Sequence, residues 1–172
     1  MKNNITTIIT LYKTPFNKLK NLKQYDSFNL KIFEQEGSLF LKKKLKKILN
    51  RKFDYIYSSN NIGLPKASNI LLKKVKSKYL LFTQADILIN KKSVIKLVKI
   101  FKKDKDIIFV TPSMNTKIYN NSKKNNISYV KNIKAACMVC DVKKLKKIGF
   151  FDEDFFLYWE DIDLMDKINK SK

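Results

Sequence analysis

The sequence predicts an α/β fold, a mostly parallel β-sheet flanked by helices, and three observations predict it. Strand-length runs of β-branched and aliphatic residues alternate with lysine-rich amphipathic stretches across residues 5–100, the pattern of strand–helix–strand units. The few Gly and Pro residues fall at the joins between these runs. With 172 residues, 44% hydrophobic and 12% aromatic, the chain can bury a core and does not have the composition of a disordered segment. One domain is expected over residues 1–172.

The elements follow in order. Residues 5–11 (ITTIITL) form a β-branched run suited to a buried strand. Thr14-Pro15 predicts an N-cap with proline at the first helical position, and a helix to about residue 25. Residues 29–35 predict the second strand, 39–50 a lysine-rich amphipathic helix, and 53–58 the third strand. Asn61 and Gly63 suit a turn that requires positive φ. The helix predicted over 65–76 aims its first N–H groups and Lys66 at an anion. Residues 78–83 predict the fourth strand, followed by Gln84-Ala85-Asp86. Ligands of open α/β sheets bind beyond the C-terminal ends of the strands, where this triplet falls. A helix over 93–103, a strand over 107–111 closed by Pro112, and a polar surface loop over 113–126 come next. Residues 135–142 predict another strand and 142–148 a short helix ended by Gly149.

Composition narrows the function. No apolar run reaches the ~18 residues of a membrane span, and the N-terminus has no signal-peptide pattern. A cytoplasmic protein is the expectation. The net charge is +22, from 37 basic and 15 acidic residues, but only Arg51 is an arginine. Readers of bases and phosphates favour the guanidinium fork. The charge therefore predicts a solvated lysine surface that attracts anionic lipid or anionic substrates, with no specific nucleic acid as partner. Cys137 and Cys140 form one C-x-x-C pair in a chain without histidine, which falls short of a zinc site. On a strand, positions three apart point to opposite faces, so both read as core residues.

The acids are not spread evenly. Asp152, Glu153, Asp154, Glu160, Asp161, Asp163 and Asp166 crowd into one short stretch near the C-terminal end. If that stretch is helical, Leu157, Asp161, Leu164 and Ile168 share a face. Asp161 is then a carboxylate on a core-facing stripe, where lost hydration raises a carboxyl's pKa toward the range of a general base. The same placement suits a buried structural acid satisfied by a cap or an ion pair.

The segment FDEDFFLYWEDIDL resembles the Glu-Asp segment of family 2 glycosyltransferases, which have the GT-A (Rossmann-like) fold, and most of all their rhamnosyltransferase-like branch. The resemblance implies Asp161 as catalytic base, with Glu160 orienting it or the acceptor. Tyr12 after the first strand, the Asn61-x-Gly63 loop, and Ala136 in AACM resemble the family's donor site. Thr10, Gln35 or Glu36, Lys66, Asn69, Gln84 and Asp86 complete the nucleotide-sugar positions that it implies. Gln84-Ala85-Asp86 resembles the D-x-D motif with glutamine in place of the first acid, so Asp86 is the implied ligand of Mg²⁺ or Mn²⁺. Lys13 stands where the family has Asn. Family members continue past the position of Lys172, so the resemblance implies C-terminal truncation. The implied partners are a UDP-, dTDP- or GDP-linked nucleotide sugar and a glycan or lipid-linked acceptor in polysaccharide or lipopolysaccharide biosynthesis. Peripheral contact with an anionic membrane, at its inner face, goes with them. Two other classes compete: an inactive GT-A module that binds nucleotide or a partner, and a lysine-rich polyanion-binding protein.

Overall fold

The computed structural model describes residues 4–112, 127 and 136–171. Among the described residues six strands form one sheet in the order β3-β2-β1-β4-β6-β5. They are β1 (Ile5–Leu11), β2 (Asn29–Glu34), β3 (Asp54–Tyr57), β4 (Tyr79–Thr83), β5 (Phe109–Val110) and β6 (Cys137–Asp141). β1 pairs in parallel with both β2 and β4, and β2 with β3. β6 runs antiparallel to β4, and β5 to β6. The parallel part is the one the alternating sequence predicts.

The pleat divides the core into two layers. Ile5, Ile9 and Leu11 of β1 face a layer that includes Leu19, Leu22, Leu45, Val94 and Phe101. These come from α1 (Phe16–Lys20) and the 3₁₀ turn after it, α2 (Leu39–Leu49) and α4 (Lys91–Lys103). Ile8 faces the other layer, with Leu71 of α3 (Leu64–Lys73), Leu145 of α5 (Val142–Ile148), and Leu164 and Ile168 of α6 (Glu160–Lys170). Cys137 lies in the first layer and Cys140 in the second, both buried and free, as period-two strand geometry requires.

Several predicted boundaries shift for identifiable reasons. Pro15 is the N-cap of α1, not its first residue, and Thr14 makes no capping bond. α1 stops at Lys20 and tightens into a 3₁₀ turn over Asn21–Tyr25. There the Asn21 amide donates to the Ala85 carbonyl (3.2 Å) and the Tyr25 hydroxyl to Ile87 (3.1 Å), drawing the turn onto the loop after β4. α4 starts two residues early because Asn90 caps it, its Oδ1 accepting from Ser93 N–H at 2.9 Å. α6 begins at Glu160 and excludes Leu157, since Tyr158 and Trp159 both have left-handed backbones, with φ of 66° and 70°. The predicted loop over 113–126, Ala135 and Lys172 lie outside the described residues. Among the described residues, no helix is long and apolar enough to cross a membrane.

Candidate active site

A cavity of about 400 Å³ opens at the C-terminal edge of the parallel strands. β1 contributes Thr10 and, beyond it, Tyr12, Thr14, Pro15 and Lys18. The end of β2 contributes Gln35, and the β3–α3 loop Asn61, Gly63 and Leu64. Gln84, Ala85 and Asp86 enter from the end of β4, and Phe156 and Leu157 from the loop before α6. Seven residues singled out from the sequence thus share one cavity: Thr10, Tyr12, Gln35, Asn61, Gly63, Gln84 and Asp86.

Local chemistry fixes these positions. Glu34, fully buried, turns the chain after β2: its carboxylate accepts from the N–H groups of Glu36 and Ser38 and from the Tyr55 hydroxyl (3.1 Å). Burial, with the Glu34 carboxylate beside it, holds the Tyr55 hydroxyl protonated well above the ordinary tyrosine range. Gln35 follows, anchored by its N–H to Leu11 O (3.0 Å), while its Oε1 accepts from Ile62 N–H (2.9 Å). Asn61 Oδ1 accepts from Gly63 N–H at 3.0 Å, an Asx turn that shapes the loop. Gly63 has φ of 86°, and a Cβ there would sit 2.7 Å from the Phe156 carbonyl oxygen. That close approach lets Leu64 N–H donate to the same carbonyl at 2.9 Å, tying the Phe156 loop to the start of α3. Behind β4, Tyr25 bonds Thr83 (3.3 Å), and burial pushes its hydroxyl up to about 12.

Asp86 is exposed and, among the described residues, is the one carboxylate that lines the cavity. Among the described residues it makes no hydrogen bond or ion pair, and no group of three or more His, Cys, Asp or Glu side chains stands ready for a metal. One carboxylate beside the Gln84 amide is too little for an all-protein cage. It fits a hydrated Mg²⁺ or Mn²⁺, which binds through one or two carboxylates and takes other oxygens from water and substrate phosphates.

Four of the donor-site residues that the resemblance implies stand outside the cavity. Glu36 and Lys66 point to solvent, and Ala136 sits half-buried at the start of β6. Asn69 is buried, its amide donating to Phe151 O (2.8 Å) and Glu153 Oε1 (3.0 Å), so it braces the entry to the acidic stretch. In the Glu-Asp pair the core-facing acid is Glu160, and Asp161, expected on that stripe, sits half-buried at its edge. Glu160 is 6% exposed, joining Leu164, Met165 and Ile168 on the inner face of α6, and its Oε2 is buried with no hydrogen-bond partner among the described residues. Burial, with Asp161 adding a like charge, raises its carboxyl above the ordinary value. Asp161 is half-buried, and its Oδ1 accepts from Ile162 N–H at 2.9 Å. Leu157, 48% exposed, is not on the stripe at all. Neither acid lines the cavity, although Phe156 and Leu157 just before them do. Sequence reasoning missed Lys18, Thr14, Pro15, Phe156 and Leu157. For Lys18 a signal existed, since it lies one turn past Pro15 at the crest of the sheet.

No curated protein matches the sequence. Solved structures do match the fold. A mannosyltransferase, PcManGT from Pyrobaculum calidifontis in complex with GDP-Man and Mn²⁺, aligns with a TM-score of 0.73 at 13% identity, over 98% of this chain and 52% of that one. S. aureus TarS aligns at 0.67 and 16% identity, over 96% of this chain and 33% of that one. TarS 1-349 in complex with UDP aligns at 0.65 and 17%, over 96% and 54%. The chain thus spans about half the length of these structures or less. The fold is the GT-A, Rossmann-like arrangement expected from the sequence. The family model described as glycosyl transferase family 2 matches residues 19–164, and the chain belongs to that family.

Proposed function

We propose that the chain is the donor-binding and catalytic part of an inverting glycosyltransferase of the rhamnosyltransferase-like type. It moves a sugar from a nucleotide donor to a hydroxyl of a surface glycan or lipid-linked acceptor. The observation that carries this reading is the convergence of Thr10, Tyr12, Gln35, Asn61, Gly63, Gln84 and Asp86 on one cavity at the crest of the sheet. The ligands of the structural neighbours, GDP-Man with Mn²⁺ in one and UDP in another, support a nucleotide sugar as donor.

In this reading the side-chain amides of Gln35 and Asn61 serve the nucleotide, and Gly63 lets the backbone approach it. Asp86, with Gln84 beside it, holds Mg²⁺ or Mn²⁺. Such an ion would offset negative charge on the leaving diphosphate. Asp161 takes the proton of the acceptor hydroxyl as its oxygen bonds to the anomeric carbon and the bond to the diphosphate breaks. Glu160, rooted in the core one residue earlier, sets the orientation of Asp161. The reaction takes place at the cytoplasmic face of a membrane. Contact there is supported by exposed Phe16 and Phe40 at the starts of α1 and α2, with the Lys44 ammonium 5.5 Å and 4.4 Å from their ring centres.

The test is thermal stabilisation by UDP-, dTDP- and GDP-linked sugars with Mg²⁺ or Mn²⁺ present. At least one donor should raise Tm by ligand mass action. Asp86→Asn should remove the metal-dependent part of that rise while leaving the melt without ligand little changed. An equal metal response in both proteins takes the ion away from Asp86. A melt that no donor moves at millimolar concentration takes away the donor site. Gln84 in place of a second acid favours one other reading, a nucleotide-binding module without turnover, and activity assays on any donor that binds separate the two.

A further inference from the structure

The cavity lining carries two charged side chains, Asp86 from the end of β4 and Lys18 from α1. They do not pair, and among the described residues the Lys18 ammonium makes no hydrogen bond or ion pair with any other group. The neighbouring lysines are placed differently. Lys13 lies over the Tyr12 ring at 5.3 Å, Lys20 lies over Phe16 at 5.3 Å, and neither lines the cavity. Lys18 is half-buried on α1, which runs directly into the turn that Asn21 and Tyr25 clamp to the loop carrying Asp86. The two opposite charges therefore sit on elements that are bonded to each other, across one cavity.

We propose that Lys18 is a phosphate-binding residue of the donor site, supplying a fixed positive charge to the diphosphate of the nucleotide beside the ion on Asp86. This rests on the donor-site reading above. The charge balance supports it. A nucleotide sugar carries one negative charge on each of its two phosphorus groups. A divalent ion on Asp86 alone contributes one net positive charge, and Lys18 contributes the other. Had Gln84 been an acid, the ion and its two carboxylates would cancel, and the diphosphate would depend on more cations. With Gln84 uncharged, the ion on Asp86 and the Lys18 ammonium together match the two charges of the diphosphate, and Lys18 is the share that stays on the protein when the ion is removed. A lysine acts here as a point charge with rotatable donors, a role that lysine fills at phosphates elsewhere.

The consequence is residual binding without metal. Calorimetry would use UDP, dTDP and GDP, with Mn²⁺ or with EDTA, on wild type, Lys18→Met, Lys18→Arg and the control Lys20→Met. The nucleosides uridine, thymidine and guanosine would report binding of the base without phosphate. Wild type should keep measurable affinity for one diphosphate in EDTA. Lys18→Met should weaken it about ten-fold or more in both conditions, as loss of a charge-assisted hydrogen bond does. Nucleoside affinity should not change, Lys18→Arg should restore most of the loss, and Lys20→Met should match wild type. A Lys18→Met protein that binds the diphosphates like wild type overturns the role of Lys18 and leaves the donor site standing. If none of UDP, dTDP and GDP binds wild type, the donor-site reading falls and Lys18 with it. Circular dichroism melts of each variant, kept near the wild-type midpoint, show that the comparison is between folded proteins.

Discussion

Two adjacent carboxylates at the start of α6 live in opposite surroundings, and each yields a prediction. Glu160 is buried, one of its oxygens has no hydrogen-bond partner among the described residues, and burial raises its carboxyl. The folded protein therefore holds this proton more readily than the unfolded chain does. Below the ordinary value near 4.5 both states are protonated and nothing is lost. As pH rises from there through the raised folded value, the unfolded state has ionised first, so stability falls and stays lower above it. Glu160→Gln keeps the shape and removes the charge. It should raise Tm at pH 7 by about 2–4 °C, the shift that ~1 kcal/mol makes in a domain of this size, and the gain should vanish near pH 4. The same gain at both pH values would show that ionisation is not its source. Asp161 is half-buried at the edge of the same helix. As the proposed base, Asp161→Asn should leave donor affinity unchanged and lower turnover by roughly 10²–10⁴-fold. A fully active variant would transfer the role to a neighbouring acid.

The β3–α3 loop and the loop before α6 work as one unit, joined where Gly63 meets Phe156. Gly63→Ala would set a Cβ 2.7 Å from a backbone oxygen and force φ of 86° on a residue with a side chain. Gly149→Ala meets nothing within 4 Å, though φ there is 100°. Both should lose about 1–3 kcal/mol to backbone strain. Only Gly63→Ala should also open the bond from Leu64 to Phe156 and weaken nucleotide binding, so titrations of the two variants beside wild type separate strain from site geometry. Equal nucleotide affinity in the two would mean the loops hold the cavity independently. This unit also marks how far the sequence can be read. The β-branched run of β1, the Asx turn at Asn61 and the need for positive φ at Gly63 follow from local rules. The partner that makes Gly63 necessary is some ninety residues away along the chain, and nothing local in FDEDFFLYW points to it. The left-handed pair Tyr158-Trp159 is equally hidden, since both are residues that rarely adopt that backbone. Starting the helix at Leu157 therefore turned the stripe by a residue and put Asp161 where Glu160 belongs. Glu34 was hidden too, because a charged residue at the end of a strand reads as exposed until the backbone N–H groups that it satisfies are seen.

At the scale of the whole molecule the charge is lopsided in use as well as in number. Of 37 basic and 15 acidic residues, several acids are already engaged: Asp141 caps α5, Asp54 pairs with Lys31, and Asp163 and Asp152 share Lys167. Neither α2, with five lysines, nor α4, with six, carries an acid. A net +22 on a chain of this size makes the compact state repel itself, and expansion on unfolding relieves that repulsion. Screening should therefore stabilise the fold. Raising NaCl from about 10 mM to about 200 mM shortens the Debye length from roughly 30 Å to under 10 Å, so Tm should climb by several degrees, and KCl should give the same curve. A rise only with sulfate or phosphate at equal ionic strength would mean a bound anion instead, and Lys18→Met would show whether it sits in the cavity. The same field predicts the behaviour toward nucleic acid. Two DNA duplexes of unrelated sequence should bind with equal affinity at low salt, and both should be lost by about 200 mM, with log affinity falling linearly against log salt. A preference for one sequence that survives that salt would require base contacts, and with Arg51 as the single arginine, its guanidinium already spent on the carbonyls of Asp26 and Phe28, this surface has no fork left to make them.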